Sequence, residues 1–236
     1  MTAGILALGL CASAAPASAQ MQWTDRAFLN VNGGVQVGSH DLDRNATFTL
    51  YDEDGQLQTS QSVKSGGLFD ISGGYKLWKN WAVGIGYSYT GSDSDSSVHA
   101  LVPDPGFFDR PRPLDASASG LDHSEHAINL DATWMMPFTD KIDLGLSLGP
   151  TIFLVRQEVV SSVSVAEPGP TLASVNISRE HETTVGLNFG LDVNYMLTPR
   201  YGAGLLARYS WGSVDIDNDS LTVGGFQIGA GFRMRF

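Results

Sequence analysis

Cysteine is nearly absent. Cys11 stands alone inside an N-terminal apolar stretch, so neither a disulfide scaffold nor a cysteine-based zinc module can be built. Charge is sparse at 17%, and the basic share is small: 14 Lys and Arg face 25 Asp and Glu. The resulting net charge of −11 excludes a protein that binds a phosphate backbone and so needs a basic footprint. Long apolar runs are missing too. Beyond residues 3–15 no uncharged stretch reaches the roughly 20 residues a membrane-spanning helix needs, which excludes a helical membrane protein. A disordered acidic chain is excluded by a hydrophobic content of 42%. What the 236 residues do hold in quantity is glycine, 27 of them, with 5 Trp, 7 Tyr and 11 Phe.

The first nineteen residues read as a secretory signal. An apolar stretch from Ala3 to Ala15 ends in Ala17-Ser18-Ala19, the small-x-small pattern that places a cut before Gln20, although no Lys or Arg precedes the stretch. Leu10 before Cys11 is too bulky for a lipoprotein site. The expected organisation is a cleaved segment 1–19 followed by one domain, 20–236.

In that domain the hydrophobic pattern has a period of two, and no stretch sustains a helical stripe. Eight segments alternate: 27–37, 69–77, 81–89, 128–136, 142–149, 185–195, 201–211 and 225–236. In the third, Trp81, Val83, Ile85, Tyr87 and Tyr89 oppose Ala82, Gly84, Gly86 and Ser88; in the last, Phe226, Ile228, Ala230, Phe232, Met234 and Phe236 oppose Gly225, Gln227, Gly229, Gly231, Arg233 and Arg235. Connections alternate as well. Residues 78–80, 137–141 and 196–200 are short turns, whereas 39–67, 91–125, 157–182 and 212–221 are long and read as loops. This is the layout of an all-β, eight-stranded antiparallel up-and-down transmembrane β-barrel, with both termini on the periplasmic side.

A soluble barrel would share the alternation but not the composition of its faces. Glycine recurs on the polar face, a poor choice for a solvated exterior and a good one for a lumen that has room for little else. The apolar face carries aromatics at both strand ends, with Tyr75, Trp81, Trp134, Tyr195, Tyr201 and Phe236 near the short turns. Phe69, Tyr89, Trp211 and Phe226 lie near the long connections. Two such girdles mark two membrane interfaces.

With the polar face inward, the lumen charges are Asp70, Asp131, Asp143 and Asp192 against Lys76, Arg208, Arg233 and Arg235. Buried charges need partners, so this balanced set predicts an ion-pair network; partner exchange would turn the same set into the gate of a narrow pore. Arg208 is expected deep in the lumen, with Asp70 and Asp131 nearest and Asn188 beside it on the sixth strand. The long connections hold 19 of the 25 acidic residues, Asp41, Asp43, Asp52, Glu53, Asp54, Asp93 and Asp95 among them. They predict a solvated acidic surface that divalent cations bridge to lipopolysaccharide. Asp215-Ile216-Asp217-Asn218-Asp219-Ser220 spaces carboxylates like a calcium loop, but Ser220 and Phe226 stand where such a loop needs Gly and Glu. No metal site or cofactor is expected.

Three enzyme-like features carry little. Gly202-Ala203-Gly204-Leu205-Leu206-Ala207 fits a dinucleotide fingerprint but lies inside an alternating strand and opens no helix. His123-Ser124-Glu125-His126 holds residue types used by lipid A deacylases. Alternation lets only Ser124 with His126, or His123 with Glu125, share a face. Residues 101–114, with four prolines around Phe107-Phe108, suit a partner-binding tip or an ordered loop cap.

From Asp25 to Phe236 the chain resembles the small outer-membrane barrels of the OmpA transmembrane-domain and OmpX type, the outer membrane protein beta-barrel domain. The resemblance rests on the eight-strand pattern and the closing run 226–236. It implies a bacterial outer-membrane location, outer-membrane lipid and lipopolysaccharide as surroundings, and an assembly signal in Phe226, Phe232 and Phe236 read by the outer-membrane assembly machinery. The resemblance is specific for architecture and nearly silent on activity; the function expected of the chain is non-enzymatic: envelope structure and surface interaction by a monomer without nucleic-acid partners. The alternatives are a narrow low-conductance pore and a lipid A-modifying enzyme.

Overall fold

The structure, a computed structural model, describes residues 23–37, 40–166, 171–216 and 219–236. The candidate leader and Asp217-Asn218 of the calcium-like segment lie outside them. Ten strands follow one another: β1 (Ala27–Val37), β2 (His40–Leu50), β3 (Glu53–Val63), β4 (Gly66–Trp78), β5 (Trp81–Asp104), β6 (Phe107–Pro137), β7 (Ile142–Ala166), β8 (Thr171–Met196), β9 (Tyr201–Ile216) and β10 (Asp219–Arg235).

Eight of them close a ring. β1 pairs with β4 on one side and β10 on the other, and the ladder runs on through β9, β8, β7 and β6 to β5, which returns to β4. Every pairing is antiparallel, and the closing seam runs from Phe28 opposite Arg235 to Val37 opposite Phe226. Closure leaves no edge within the ring, the condition for strands to cross hydrocarbon. Two of the three short turns repeat one device. Thr139 Oγ1 accepts from the Lys141 and Ile142 N–H groups, and Thr198 Oγ1 accepts from Arg200 and Tyr201.

The expected apolar face is the exposed one. Tyr75, Trp81, Ile85, Leu148, Val185, Leu187, Leu205, Trp211 and Ile228 all stand outward, while their alternates turn into the lumen. Trp81 stacks on Trp134 at 6.2 Å and Tyr201 on Phe232 at 5.8 Å, which tightens the periplasmic girdle across neighbouring strands.

All four of the stretches read as loops are largely strand. β5, β6, β7 and β8 run to 24, 31, 25 and 26 residues, well beyond the bilayer, and the first long connection folds into the hairpin β2–β3. β3 takes over along β5 where β4 ends, pairing Gln56–Val63 with Ser94–Leu101. The polarity of the two faces inverts at this level. The face of β5 that turns Ser88 and Thr90 into the lumen continues as Val98, Ala100 and Val102, which bury against Leu57, Leu114, Leu121 and Val160. Above the membrane, therefore, the apolar face is inside. On β6 an extra residue at Gly120, with φ +71°, shifts the inward parity from Leu114, Ala116 and Ala118 to Leu121, His123 and Glu125.

Glycine matters most where backbones converge. At Gly231, on the closing strand, a Cβ would run into the Val31 carbonyl of β1, whereas at Gly67 it would meet nothing. Unboiled protein is therefore expected to migrate apart from boiled protein on SDS gels. Gly231→Val should abolish the unheated band and Gly67→Val should keep it. Equal gels for the two variants would contradict the close approach at the seam.

Candidate functional site

The lumen is filled by side chains. Arg208 on β9 reaches across β10 and β1 to β4, where Nη1 lies 2.7 Å from Asp70 Oδ2; both side chains are at most 2% exposed. Asn32 Nδ2 donates to the other Asp70 oxygen at 2.8 Å, and Asn32 Oδ1 accepts from Arg233 at 2.6 Å. Arg233 also donates to Asn194 at 2.6 Å and to Asp192 at 3.1 Å. Asn194 in turn donates to Asp143 at 2.7 Å, and Arg235 donates to the same Asp143 oxygen at 2.7 Å. Three arginine–carboxylate pairs are thus joined into one chain by two asparagines. Such bridging gives Asp70 a donor on its second oxygen and Arg233 an acceptor on each of its three nitrogens, compensation without which a buried pair loses more in desolvation than it gains. Gly204 makes the arrangement possible: a Cβ there would strike the Arg233 guanidinium. Between these side chains remains a cavity of about 20 Å³, bordered by Asn30, Ser72, Thr133, Asp192 and Arg208, room for about one water.

Below this network Trp23 folds into the periplasmic end. It packs against Phe28 and, with Ala82 and Met135, forms an apolar floor, while the Arg235 guanidinium lies 5.5 Å from its ring. Lys76, expected in the lumen network, stands at this rim and donates to the Trp23 carbonyl. Asp131 is buried but bonded to Asn188 at 2.9 Å, not to Arg208. The residue opposite Arg208 on β8 is Gly190, and Asn188 faces Ser210. Asn188 also donates to the Gly149 carbonyl at 3.1 Å, where Pro150 interrupts the β6–β7 ladder.

At the extracellular mouth a second polar layer lies across the lumen, one that charge reading alone missed. His123 and Glu125 point inward, with Nε2 at 3.0 Å from Oε1; Ser124 and His126 point outward, and no Ser–His hydrogen bond forms among the four. Glu125 accepts from Gln36 and from the Gly224 N–H, Gln36 accepts from Thr90 and Gln227, and His123 bonds Gln157. Alternation lists Gln36 and Gln227 on the inward face, and this was the available signal. Next to this layer Phe153, Val155, Val159 and Val223 pack into an apolar one, so the mouth is closed by two kinds of contact. Just above it the Asp122 N–H, with Arg179 at 2.9 Å, holds the Glu158 carboxyl below its usual range.

Phe226, Phe232 and Phe236 all lie outward and exposed. The Phe236 backbone is nonetheless tied into the seam, its N–H donating to Ala27 and its carbonyl accepting from Arg26 and Ala27. Among the described residues no three His, Cys, Asp or Glu converge on a metal position.

The solved structures that resemble the chain are distant from it in sequence. Neisserial surface protein A is 14% identical over 89% of this chain and 97% of its own, with a TM-score of 0.47. The outer membrane protein OprG from Pseudomonas aeruginosa is 14% identical over 90% and 96%, TM-score 0.44. The outer membrane protease OmpT from Escherichia coli is 9% identical over 92% and 98%, TM-score 0.47. No curated protein matches the chain. A family model does, over residues 3–233, nearly the whole length. With a closed eight-strand ring, two aromatic girdles and that match, the chain belongs to the outer membrane protein beta-barrel domain family and is a small barrel of the bacterial outer membrane.

Proposed function

We propose that this barrel is a non-enzymatic, monomeric envelope protein: a closed wall in the outer membrane that carries a folded acidic platform on the cell surface. Residues 1–19 are its cleaved secretory signal, residues 20–236 its barrel domain, and Phe226, Phe232 and Phe236 its assembly signal. The observation that carries the reading is the packed lumen, in which Asp70–Arg208, Asp192–Arg233 and Asp143–Arg235 span the interior between an apolar floor and a two-part mouth. An ion crossing it would have to replace each of these contacts in turn. Ser124 and His126, the pair suited to acyl chemistry, do not bond each other, and the Tyr87 hydroxyl engages His126 at 2.8 Å. The acidic platform suits contact with cationic partners and, through divalent cations, with lipopolysaccharide.

A narrow pore is the second reading, and one observation favours it. Arg233 touches Asn32, Asn194 and Asp192 at once, so it has partners among which to switch. Planar-bilayer recording of the purified barrel separates the two readings: steady single-channel steps in the parent protein would overturn the closed-wall proposal.

Removing one member of the deepest pair leaves a buried charge uncompensated, at a cost of about 3–5 kcal/mol. Arg208→Ala should therefore lower the urea midpoint markedly and raise leak, and combining Arg208→Met with Asp70→Asn should recover part of the loss. Arg179→Ala breaks an exposed pair, worth only about 0–1 kcal/mol, and should change neither. If all these variants unfold with the parent, the pairs do not hold the lumen closed.

Phe236→Ala removes a side chain that is 61% exposed and so buries little, and it leaves the backbone bonds to Arg26 and Ala27 in place. Outer-membrane levels in cells should fall while protein refolded in detergent keeps its midpoint. Unchanged surface levels would overturn the assembly role.

A further inference from the structure

On the outside of the wall, at the extracellular edge of the apolar band, three nitrogen-bearing side chains gather on a chain whose net charge is −11. Arg156 of β7 lies between Ser124 of β6 and His181 of β8 in one row across the ladder. One row nearer the membrane, His126 stands beside Leu154 and Thr183. Arg156 is exposed, and among the described residues no carboxylate lies within ion-pair distance of it. Its neighbour Arg179, one row higher, is by contrast taken up by Glu158 at 2.9 Å. The Tyr87 hydroxyl at His126 Nδ1 fixes that ring; with tyrosine donating, the imidazole proton sits on Nε2 and is free to donate outward. Tyr87, His126, Leu154, Arg156, His181 and Thr183 line a groove of about 370 Å³, bordered on the β8 side by Glu182.

Tyr87 also ends a second groove. This one, about 420 Å³, is apolar and runs over the lipid-facing wall between Leu29, Ile71, Ile85 and Ile128, where Gly73 has no side chain to fill it. A groove bearing Arg156, His126 and His181 that shares Tyr87 with an apolar furrow on the lipid-facing wall suits a single amphiphile with an anionic head.

We propose that this joined surface binds one outer-leaflet phosphoglycolipid of the lipid A type, with Arg156, His126 and His181 on a sugar phosphate and the Gly73 furrow along an acyl chain. The site rests on the outer-membrane reading above and adds to it a place and a chemistry. An Arg–phosphate contact is bidentate and strong where water is scarce, and imidazole N–H groups add further donors. The phosphate finds its donors without a bridging metal, unlike the acidic surface above.

The test uses the full mature barrel in detergent, with diphosphoryl lipid A as probe and native mass spectrometry as readout. Loss of a charge-assisted hydrogen bond predicts that Arg156→Gln weakens lipid A retention about tenfold. His181→Gln should weaken it less, and Gly73→Leu, which fills the furrow and leaves the headgroup groove intact, should also weaken it. Arg179→Gln should leave retention unchanged. Equal retention by the parent, Arg156→Gln and Gly73→Leu would overturn the site, as would phosphatidylglycerol competing at parity with lipid A. The barrel itself is scored separately by the heat-dependent gel shift. A parent without the shift refutes the membrane reading, whereas an intact shift with unchanged lipid retention refutes the site alone.

Discussion

Everything in this molecule depends on closing a hydrogen-bonded ring inside hydrocarbon. Backbone N–H and C=O groups have no partner in lipid, so the strands must satisfy one another all the way round, and β1 against β10 is the pairing that completes the circuit. Closure at eight strands then fixes the width of the interior. That width admits one layer of side chains from each wall and little water, so whatever faces inward must pair across the lumen. The arginine–carboxylate chain from Asp70 to Asp143 answers that geometric demand, and the asparagines at 32 and 194 supply partners that the three ion pairs alone would leave unmet on Asp70 and Arg233.

The same strands serve two solvents. Within the membrane their outer face meets lipid and must be apolar; a few residues further out it meets water and must be polar. β5 makes the change along one continuous strand, from outward Ile85, Tyr87 and Tyr89 to outward Asp93, Asp95 and Ser97, while its inner face passes from Ser88 and Thr90 to Val98 and Ala100. Neither face is apolar throughout. The extracellular sheet consequently owns a hydrophobic core of its own, centred on Leu57, Val98, Leu114 and Leu121, and projects from the wall as a folded body.

The barrel was legible in the sequence because lipid imposes strong contrast on alternate residues, as in Trp81 to Tyr89. The extension was not, since contrast vanishes at the inversion itself: Ser92 to Ser97 are polar on both faces. Pro111 and Pro113 also read as breakers, yet β6 is flanked there by β5 alone, an edge position that tolerates proline. Within the lumen, alternation identified which charges face inward and offered Asp70 and Asp131 as neighbours of Arg208 without deciding between them. Partnership depends on strand stagger, which places Arg208 beside Asp70, 138 residues away, and carries Lys76 down to the rim. Uncharged members such as Gln36 and Asn32 gave no charge signal, although their inward parity was visible. Trp23 gave none at all, because it precedes the first strand and has no alternating neighbours.

The inverted sheet also bears on how this surface can change over evolutionary time. In an unstructured loop any residue can drift, and a partner that recognises it meets a target without fixed parts. Here every second residue of β3 and β5 is committed to the buried side, as with Leu57, Val63, Val98 and Ala100, while Gln56, Gln58, Ser97 and His99 face outward. Substitution is therefore confined to one face of the sheet, and any partner would read changing side chains on a backbone whose shape stays the same.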